Sequence, residues 1–165
     1  MTRMAQKEYP KTNALRFLLD HGIPFEVFPY KYEERGGTRV SSRELGVEEH
    51  IVIKTLVMET DAGDPLIVLM HGDCEVSTKQ LARLLNVKSV APCDPKVAQR
   101  HSGYLVGGTS PFGTRRALPV YCEAGILDLD RIYINGGARG LLVRIDPKDM
   151  AKALDLTPVQ VAIPS

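Results

Sequence analysis

Residues 51–59 run Ile51-Val52-Ile53-Lys54-Thr55-Leu56-Val57-Met58-Glu59, an apolar, β-branched stretch with a cation near its centre. Such a run predicts a strand buried on at least one face. With a period of two, Ile51, Ile53, Thr55 and Val57 share one face, and Val52, Lys54, Leu56 and Met58 the other. Lys54 thus has apolar neighbours even on its own side. Desolvating an ammonium is costly unless it is paired, neutralised or aimed into a polar cavity. Lys54 either snorkels to solvent from an edge strand or points into a site, and its surroundings favour the site.

The same patterning places the other elements. Thr12 or Asn13 caps a helix through residue 20, with Leu15, Leu18 and Leu19 on one face and Gly22 as terminator. Residues 25–28 alternate as a strand, and the charged, glycine-rich stretch 33–39 reads as a mobile surface loop. Ser41-Ser42-Arg43-Glu44 is a capping box that opens a short helix stopped at Gly46. Strands over 51–59 and 65–71 flank Asp61-Ala62-Gly63-Asp64 as a hairpin. Residues 77–85 form an amphipathic helix, and Asp94-Pro95 starts another. Further strands are predicted at 118–122, 131–135 and 141–145, then a helix over 149–154 and a short strand near 159–163. Strands outnumber helices and the connections are too short for regular strand–helix–strand alternation. The fold class is α/β in the α+β sense: a mixed, largely antiparallel, barrel-like sheet with flanking helices. Residues 1–10 read as a flexible lead-in and 11–165 as one domain.

Composition narrows the function. With 165 residues, 44% hydrophobic and 25% charged, the chain can bury a core without staples. No apolar stretch approaches the ~18 residues needed to cross a bilayer, and no hydrophobic block follows the charged N-terminus. These features point to a cytoplasmic protein with no membrane partner. Cys74, Cys93 and Cys122 are odd in number and widely spaced, against a disulfide framework. His71, Cys74, Cys93 and His101 lack the paired spacing of a zinc site, so no metal and no cofactor are expected. The net charge of +1 excludes a protein coated with basic residues for DNA, leaving local contact with nucleic acid.

Two glycine-rich segments carry the candidate chemistry. Gly107-Gly108-Thr109-Ser110-Pro111-Phe112-Gly113 follows Tyr104-Leu105-Val106, which reads as strand-like. Paired glycines let backbone N–H groups approach a carbonyl oxygen, an oxyanion or a phosphate, although a tight turn without a ligand has the same sequence. Asn135-Gly136-Gly137 is open to the same two readings, pocket wall or plain hairpin. Neither segment fits a dinucleotide or Walker pattern. No nucleophile accompanies them: there is no G-x-S-x-G, no histidine activates Ser110, and Cys122 reads as a core thiol.

Lys54-Thr55-Leu56, the string from Gly103 to Gly113, and Ile132-Tyr133-Ile134-Asn135-Gly136-Gly137-Ala138-Arg139-Gly140-Leu141 together closely resemble the YbaK family of aminoacyl-tRNA deacylases. The likeness runs from about Leu15 to the last helix. It implies a barrel-like mixed sheet, also found as the editing domain inserted in some prolyl-tRNA synthetases. The implied activity is hydrolysis of mischarged aminoacyl-tRNA at its acceptor end, Cys-tRNA(Pro) in this branch and Ala-tRNA(Pro) in a sister branch, with prolyl-tRNA synthetase as a possible partner. A proline pocket cannot strongly reject amino acids of similar or smaller size, which is why a second site is needed. By resemblance, Lys54 sits near the terminal adenosine and the ester, and Gly107 and Gly108 face the substrate carbonyl. Tyr30, Thr109 and Ser110 contribute to the pocket, and Asn135, Gly136 and Gly137 line its opposite wall. The substrate's own thiol is taken to attack its ester, so no protein nucleophile is required. Leu142 stands where some relatives place a polar or acidic residue, so the resemblance leaves the preferred amino acid open between cysteine and alanine. Lys79, Arg83, Arg115 and Arg116 are phosphate-contact candidates or a solvated basic face. The competing reading is a module that binds an aminoacyl-tRNA end without hydrolysing it.

Overall fold

In the computed structural model, which describes residues 10–165, the expected lead-in lies outside the described residues except for Pro10. Strands β1 (Glu26–Pro29), β2 (Val52–Thr60), β3 (Pro65–His71), β4 (Cys74–Val76) and β5 (Val90–Pro92) precede β6 (Val120–Glu123), β7 (Ile132–Ala138), β8 (Leu141–Ile145), β9 (Leu156–Val159) and β10 (Ala162–Pro164). The helices are α1 (Asn13–Asp20), α2 (Gly37–Leu45), α3 (Thr78–Leu85), α4 (Pro95–Ser102) and α5 (Pro147–Ala153).

The β2–β3 hairpin is the centre of the sheet, its turn closed by Thr60 N–H to Asp64 O at 3.0 Å and Gly63 N–H to Thr60 O at 2.9 Å. Strand order is β1-β8-β7-β2-β3-β6-β9, with β5 beside the end of β2 and β4 paired separately with β10. The β1–β8, β2–β3, β2–β5, β7–β8 and β4–β10 ladders are antiparallel, and β2–β7, β3–β6 and β6–β9 are parallel. The sheet is thus mixed as expected. Its outer strands β1 and β9 do not meet among the described residues, so the barrel-like closure is replaced by an open sheet.

One face of the sheet is sealed. Leu15 and Leu18 of α1, Ala98 of α4 and Met150 of α5 pack with Ile53, Val57, Ile67, Leu69, Ile134 and Val143. The other face is divided. Val52 joins Tyr133 and Leu142 in one small cluster, while Met58 and Leu56 pack with Leu81 of α3 in another. The face that carries Val52, Lys54, Leu56 and Met58 therefore changes cluster at Lys54. A charge is tolerated there because the two apolar patches leave a gap between them.

Local sequence explains most elements. Thr12 caps α1, its hydroxyl accepting from Leu15 N–H at 3.1 Å. Ser77 caps α3 by accepting from Gln80 N–H at 3.3 Å. Three expectations are corrected. Leu19 is exposed and does not share the buried face of Leu15 and Leu18, because the α1 stripe is narrower than its leucines. Helix α2 begins at Gly37, inside the expected loop, and Ser41 and Ser42 are buried in its interior with their hydroxyls turned back to Thr38 O and Arg39 O. Thr38 explains this early start: its hydroxyl reaches Glu49 Oε2 at 2.7 Å, a tertiary tie absent from local pattern. Residues 104–106 are not a strand but lead into a turn over 105–108, closed by Gly108 N–H donating to Leu105 O at 2.8 Å.

Candidate active site

The gap around Lys54 is the mouth of a cleft of about 540 Å³. That volume lies within the ~300–1,000 Å³ range usual for small-ligand sites. Lys54, Thr55 and Leu56 of β2 line it together with Tyr30, Tyr32 and Thr38, and with Val106, Gly107, Thr109 and Asn135 from the two glycine-rich segments. The Lys54 side chain is 21% exposed. Its Nζ donates to Cys74 O at 2.7 Å and lies 3.6 Å from Glu75 Oε1. An ammonium has three donors, so two partners steer the side chain and still leave capacity for a ligand.

The two glycine-rich segments meet at the cleft through side chains. Asn135 Nδ2 donates to Gly107 O at 3.1 Å, and its Oδ1 accepts from Gly137 N–H at 2.7 Å and Ala138 N–H at 3.2 Å. Arg139 Nε donates to Val106 O at 2.9 Å while its guanidinium lies 5.2 Å above the Tyr32 ring. The register of β7 against β8 shifts between Asn135 and Ala138, so Gly136 and Gly137 form a bulge and the hairpin turn itself falls at Arg139–Gly140. Thr12 anchors that bulge from behind, its hydroxyl donating to Gly136 O at 2.5 Å.

Gly107 and Gly108 differ in what they do. Gly107 has φ +91 and sits in the cleft wall, where a Cβ would come within 2.6 Å of Tyr32 Oη. Its N–H has no partner among the described residues, nor has that of Thr109. Gly108 is buried and its N–H is engaged by Leu105. A Cβ on it would meet the main chain of Ala138 and Arg139 at 2.9 Å, so it lets the second segment come close.

The cleft therefore brings together Lys54, Tyr30, Gly107, Thr109 and Asn135. Gly108, Ser110, Gly136 and Gly137 are outside its lining. Ser110 is fully buried, and its hydroxyl accepts from Phe112 N–H at 3.0 Å to hold the turn. Tyr32 and Arg139 join the cleft lining from outside the sequence-predicted candidates. Their signal is weak, since a tyrosine in a charged stretch and an arginine in a turn look like surface residues. Thr55 has no role implied beyond its place in the Lys54-Thr55-Leu56 motif, yet its hydroxyl is buried and lacks a partner among the described residues. Burial raises the Tyr30 phenol above its ordinary value, so it keeps its proton and can donate at neutral pH.

No cysteine among the described residues lines the cleft, and the buried Ser41 hydroxyl at its wall donates to Thr38 O at 3.2 Å. Burial pushes the Cys122 thiol up to about 12, and burial beside Glu59 pushes Cys93 up to about 11. Burial also raises Cys74. What remains is a cation, backbone amides on a glycine turn and a phenol around one cleft, an arrangement suited to a polar carbonyl and its developing charge.

The described residues include no helix long and apolar enough to cross a membrane. Against known proteins, the chain is 29% identical over 144 residues to EbsC of Enterococcus faecalis, named as a candidate Cys-tRNA(Pro)/Cys-tRNA(Cys) deacylase; the match covers 87% of this chain and 88% of that protein. It is 31% identical over 85 residues to the proline–tRNA ligase of Syntrophotalea carbinolica, which takes in 51% of this chain and 15% of the ligase. A crystal structure of a candidate trans-editing enzyme for prolyl tRNA synthetase superposes with a TM-score of 0.82 at 19% identity, covering 94% of this chain and 99% of the other. At that identity it speaks for the fold. Residues 37–153, most of the chain and every cleft residue after Arg35, match the family described as the aminoacyl-tRNA editing domain, and the chain belongs to that family.

Proposed function

We propose that residues 11–165 act as one editing domain that hydrolyses mischarged aminoacyl-tRNA in trans, with Cys-tRNA(Pro) as its main substrate. The observation that carries this reading is the placement of Lys54 and the Gly107 turn around one cleft that offers a cation and open amides but no cysteine among the described residues. The resemblance to EbsC supports the choice of cysteine. Lys54 binds the phosphate or hydroxyl groups of the terminal adenosine, or the charge that builds at the ester. The amides of Gly107 and Thr109 receive the carbonyl oxygen, and Tyr30 and Asn135 fix the neighbouring groups.

In the chemical step the substrate thiolate attacks its own ester carbonyl. A carbon–sulfur bond forms as the bond to the ribose oxygen breaks, and that oxygen takes a proton to leave as tRNA. The strained four-membered thiolactone then opens to cysteine with water. Attack within one molecule gains the high effective concentration that orientation supplies. The fold needs only to hold the carbonyl and exclude larger side chains, which the buried Leu142 and Val52 do at the cleft wall. A cytoplasmic location and contact with prolyl-tRNA synthetase belong to this proposal.

The test is a panel of labelled Cys-, Ala-, Ser- and Pro-tRNA(Pro) followed by acid precipitation. Rapid loss of cysteine, with serine slow because its hydroxyl is far less ionised, is the expected result. Equal hydrolysis of serine and cysteine would overturn the thiol step. Preference for alanine would assign the sister specificity, and protection of every ester without turnover would identify a binding module.

A further inference from the structure

We propose that His50, Asp73 and Cys74 form a binding site for a zinc-class divalent cation, beside the editing cleft and outside its lining. Spacing along the chain hides it, because the whole β2–β3 hairpin separates His50 from Asp73 and the histidine nearest in sequence to Cys74 is His71. The fold joins the two positions. His50 stands on the single helical turn Glu49–Ile51 that leads into β2, and Asp73 and Cys74 lie where β3 turns into β4.

Nitrogen, oxygen and sulfur donors converge there within 4.8 Å of one another. His50 Nδ1 is 2.8 Å from Asp73 Oδ1, and Cys74 Sγ is 3.5 Å from the same oxygen. With Zn–N and Zn–O near 2.0–2.1 Å and Zn–S near 2.3 Å, a tetrahedral ion needs about 3.3 Å between N and O and about 3.5 Å between S and O. The sulfur–oxygen spacing already fits. The nitrogen–oxygen pair must open by about half an ångström, a side-chain rotation within reach of two half-exposed groups.

The supporting shell is built. His71 Nδ1 bonds to His50 O at 2.9 Å, and the two imidazoles stack at 3.8 Å and 7°. Asp73 O accepts from Ser165 N–H at 3.2 Å, and Cys74 opposite Pro164 is fixed by the β4–β10 ladder. These ties orient the donors before any ion arrives. On binding, Cys74 releases its thiol proton to solvent and the His50 proton sits on Nε2, so that a neutral imidazole ligates through Nδ1. Thiolate and carboxylate together then balance the two positive charges, and water takes the fourth position on the exposed side. The donor set excludes magnesium and calcium, which prefer oxygen alone. Because Cys74 O holds Lys54 Nζ, occupancy would also stiffen the strand that positions the cleft lysine.

The test uses the full chain after chelator treatment, titrated with Zn²⁺ in competition with a chromophoric chelator and, separately, with Co²⁺. One Zn²⁺ per chain and a thiolate-to-cobalt charge-transfer band are expected. H50A, D73N and C74S should each weaken Zn²⁺ at least about tenfold, and C74S should abolish the band, whereas H21A should change neither. Should a variant not fold, the unaltered protein still decides, because Zn²⁺ must slow alkylation of Cys74 relative to Cys93 as read by mass spectrometry. Absence of stoichiometric binding, or alkylation of Cys74 indifferent to Zn²⁺, would overturn the site.

Discussion

The segments around Gly107-Gly108 and around Gly136-Gly137 share a glycine pair and differ in how it meets the cleft. Gly107 presents an open amide at the wall, while Gly136 and Gly137 are a bulge held from behind by Thr12 and from the front by Asn135. Within the first pair the contrast repeats, since Gly107 faces the cleft and Gly108 faces the crossing main chain. A glycine pair therefore carries no fixed meaning. What decides its role is whether the neighbouring chain consumes the amide or leaves it open.

Lys54 is the largest expected effect on the open side. Lys54→Ile removes the cation while keeping strand propensity, and it relieves the cost of a half-buried charge. Deacylation should fall by about 10²–10³ or more, the loss typical when one preorganised electrostatic group is deleted. Melting temperature should be unchanged or raised. Normal turnover in the folded variant would remove Lys54 from the chemistry.

Gly107→Ala and Gly108→Val separate the two sides within two residues. The first places a methyl against the end of the Tyr32 side chain at a backbone angle that alanine resists, so turnover should drop with modest loss of stability. The second drives side-chain carbon into the backbone at Ala138–Arg139, which cannot step aside. Overpacking of this kind costs about 1–3 kcal/mol. At about 2–4 °C per kcal/mol for a domain of this size, the melting temperature should fall by several degrees. Calorimetry and single-turnover deacylation on the same samples check both, and the reverse pattern would mean that the roles of the two glycines are exchanged.

Asn135 joins the two segments and can be divided chemically. Asn135→Asp retains the acceptor that holds Gly137 and Ala138 but loses the donor to Gly107 O. A single lost hydrogen bond is worth about 1 kcal/mol, so turnover should fall about fivefold to tenfold while the bulge survives. Asn135→Ala, which loses both halves, should also lower the melting temperature. Equal stability of the two variants would show that the acceptor side is idle.

Elements with local rules were legible in the chain: α1 and α3 from their caps and apolar spacing, and the β2–β3 hairpin from alternation around a four-residue turn. The start of α2 was not, because Gly36-Gly37 reads as a loop and its helix is anchored by Thr38 to Glu49, a contact set by tertiary structure. The closure expected of the sheet was equally invisible, since no local pattern says whether β1 and β9 meet. Of the cleft, Lys54 stood out because a charge interrupts an apolar strand. Ser110 was assigned to the pocket through its motif, yet its buried hydroxyl serves the turn. Tyr32 and Arg139 emerge only when the fold stacks one on the other.

The smallest expected effect concerns the cysteines, and it tests the claim that the open side lacks a nucleophile. Cys122 and Cys93 are pushed up to about 12 and about 11 by burial, so almost none of either is thiolate at neutral pH. Neither lines the cleft, and Cys74 touches it only through the carbonyl that holds Lys54. Replacing all three with alanine should therefore leave Cys-tRNA(Pro) deacylation, assayed with chelator present, within about threefold, with stability reduced by the cavity at Cys122. Truncating that fully buried thiol makes a folding control necessary, which Cys74→Ala with Cys93→Ala alone provides. Loss of turnover in that double variant while it remains folded would assign the attack to a protein thiol and defeat the substrate-assisted step.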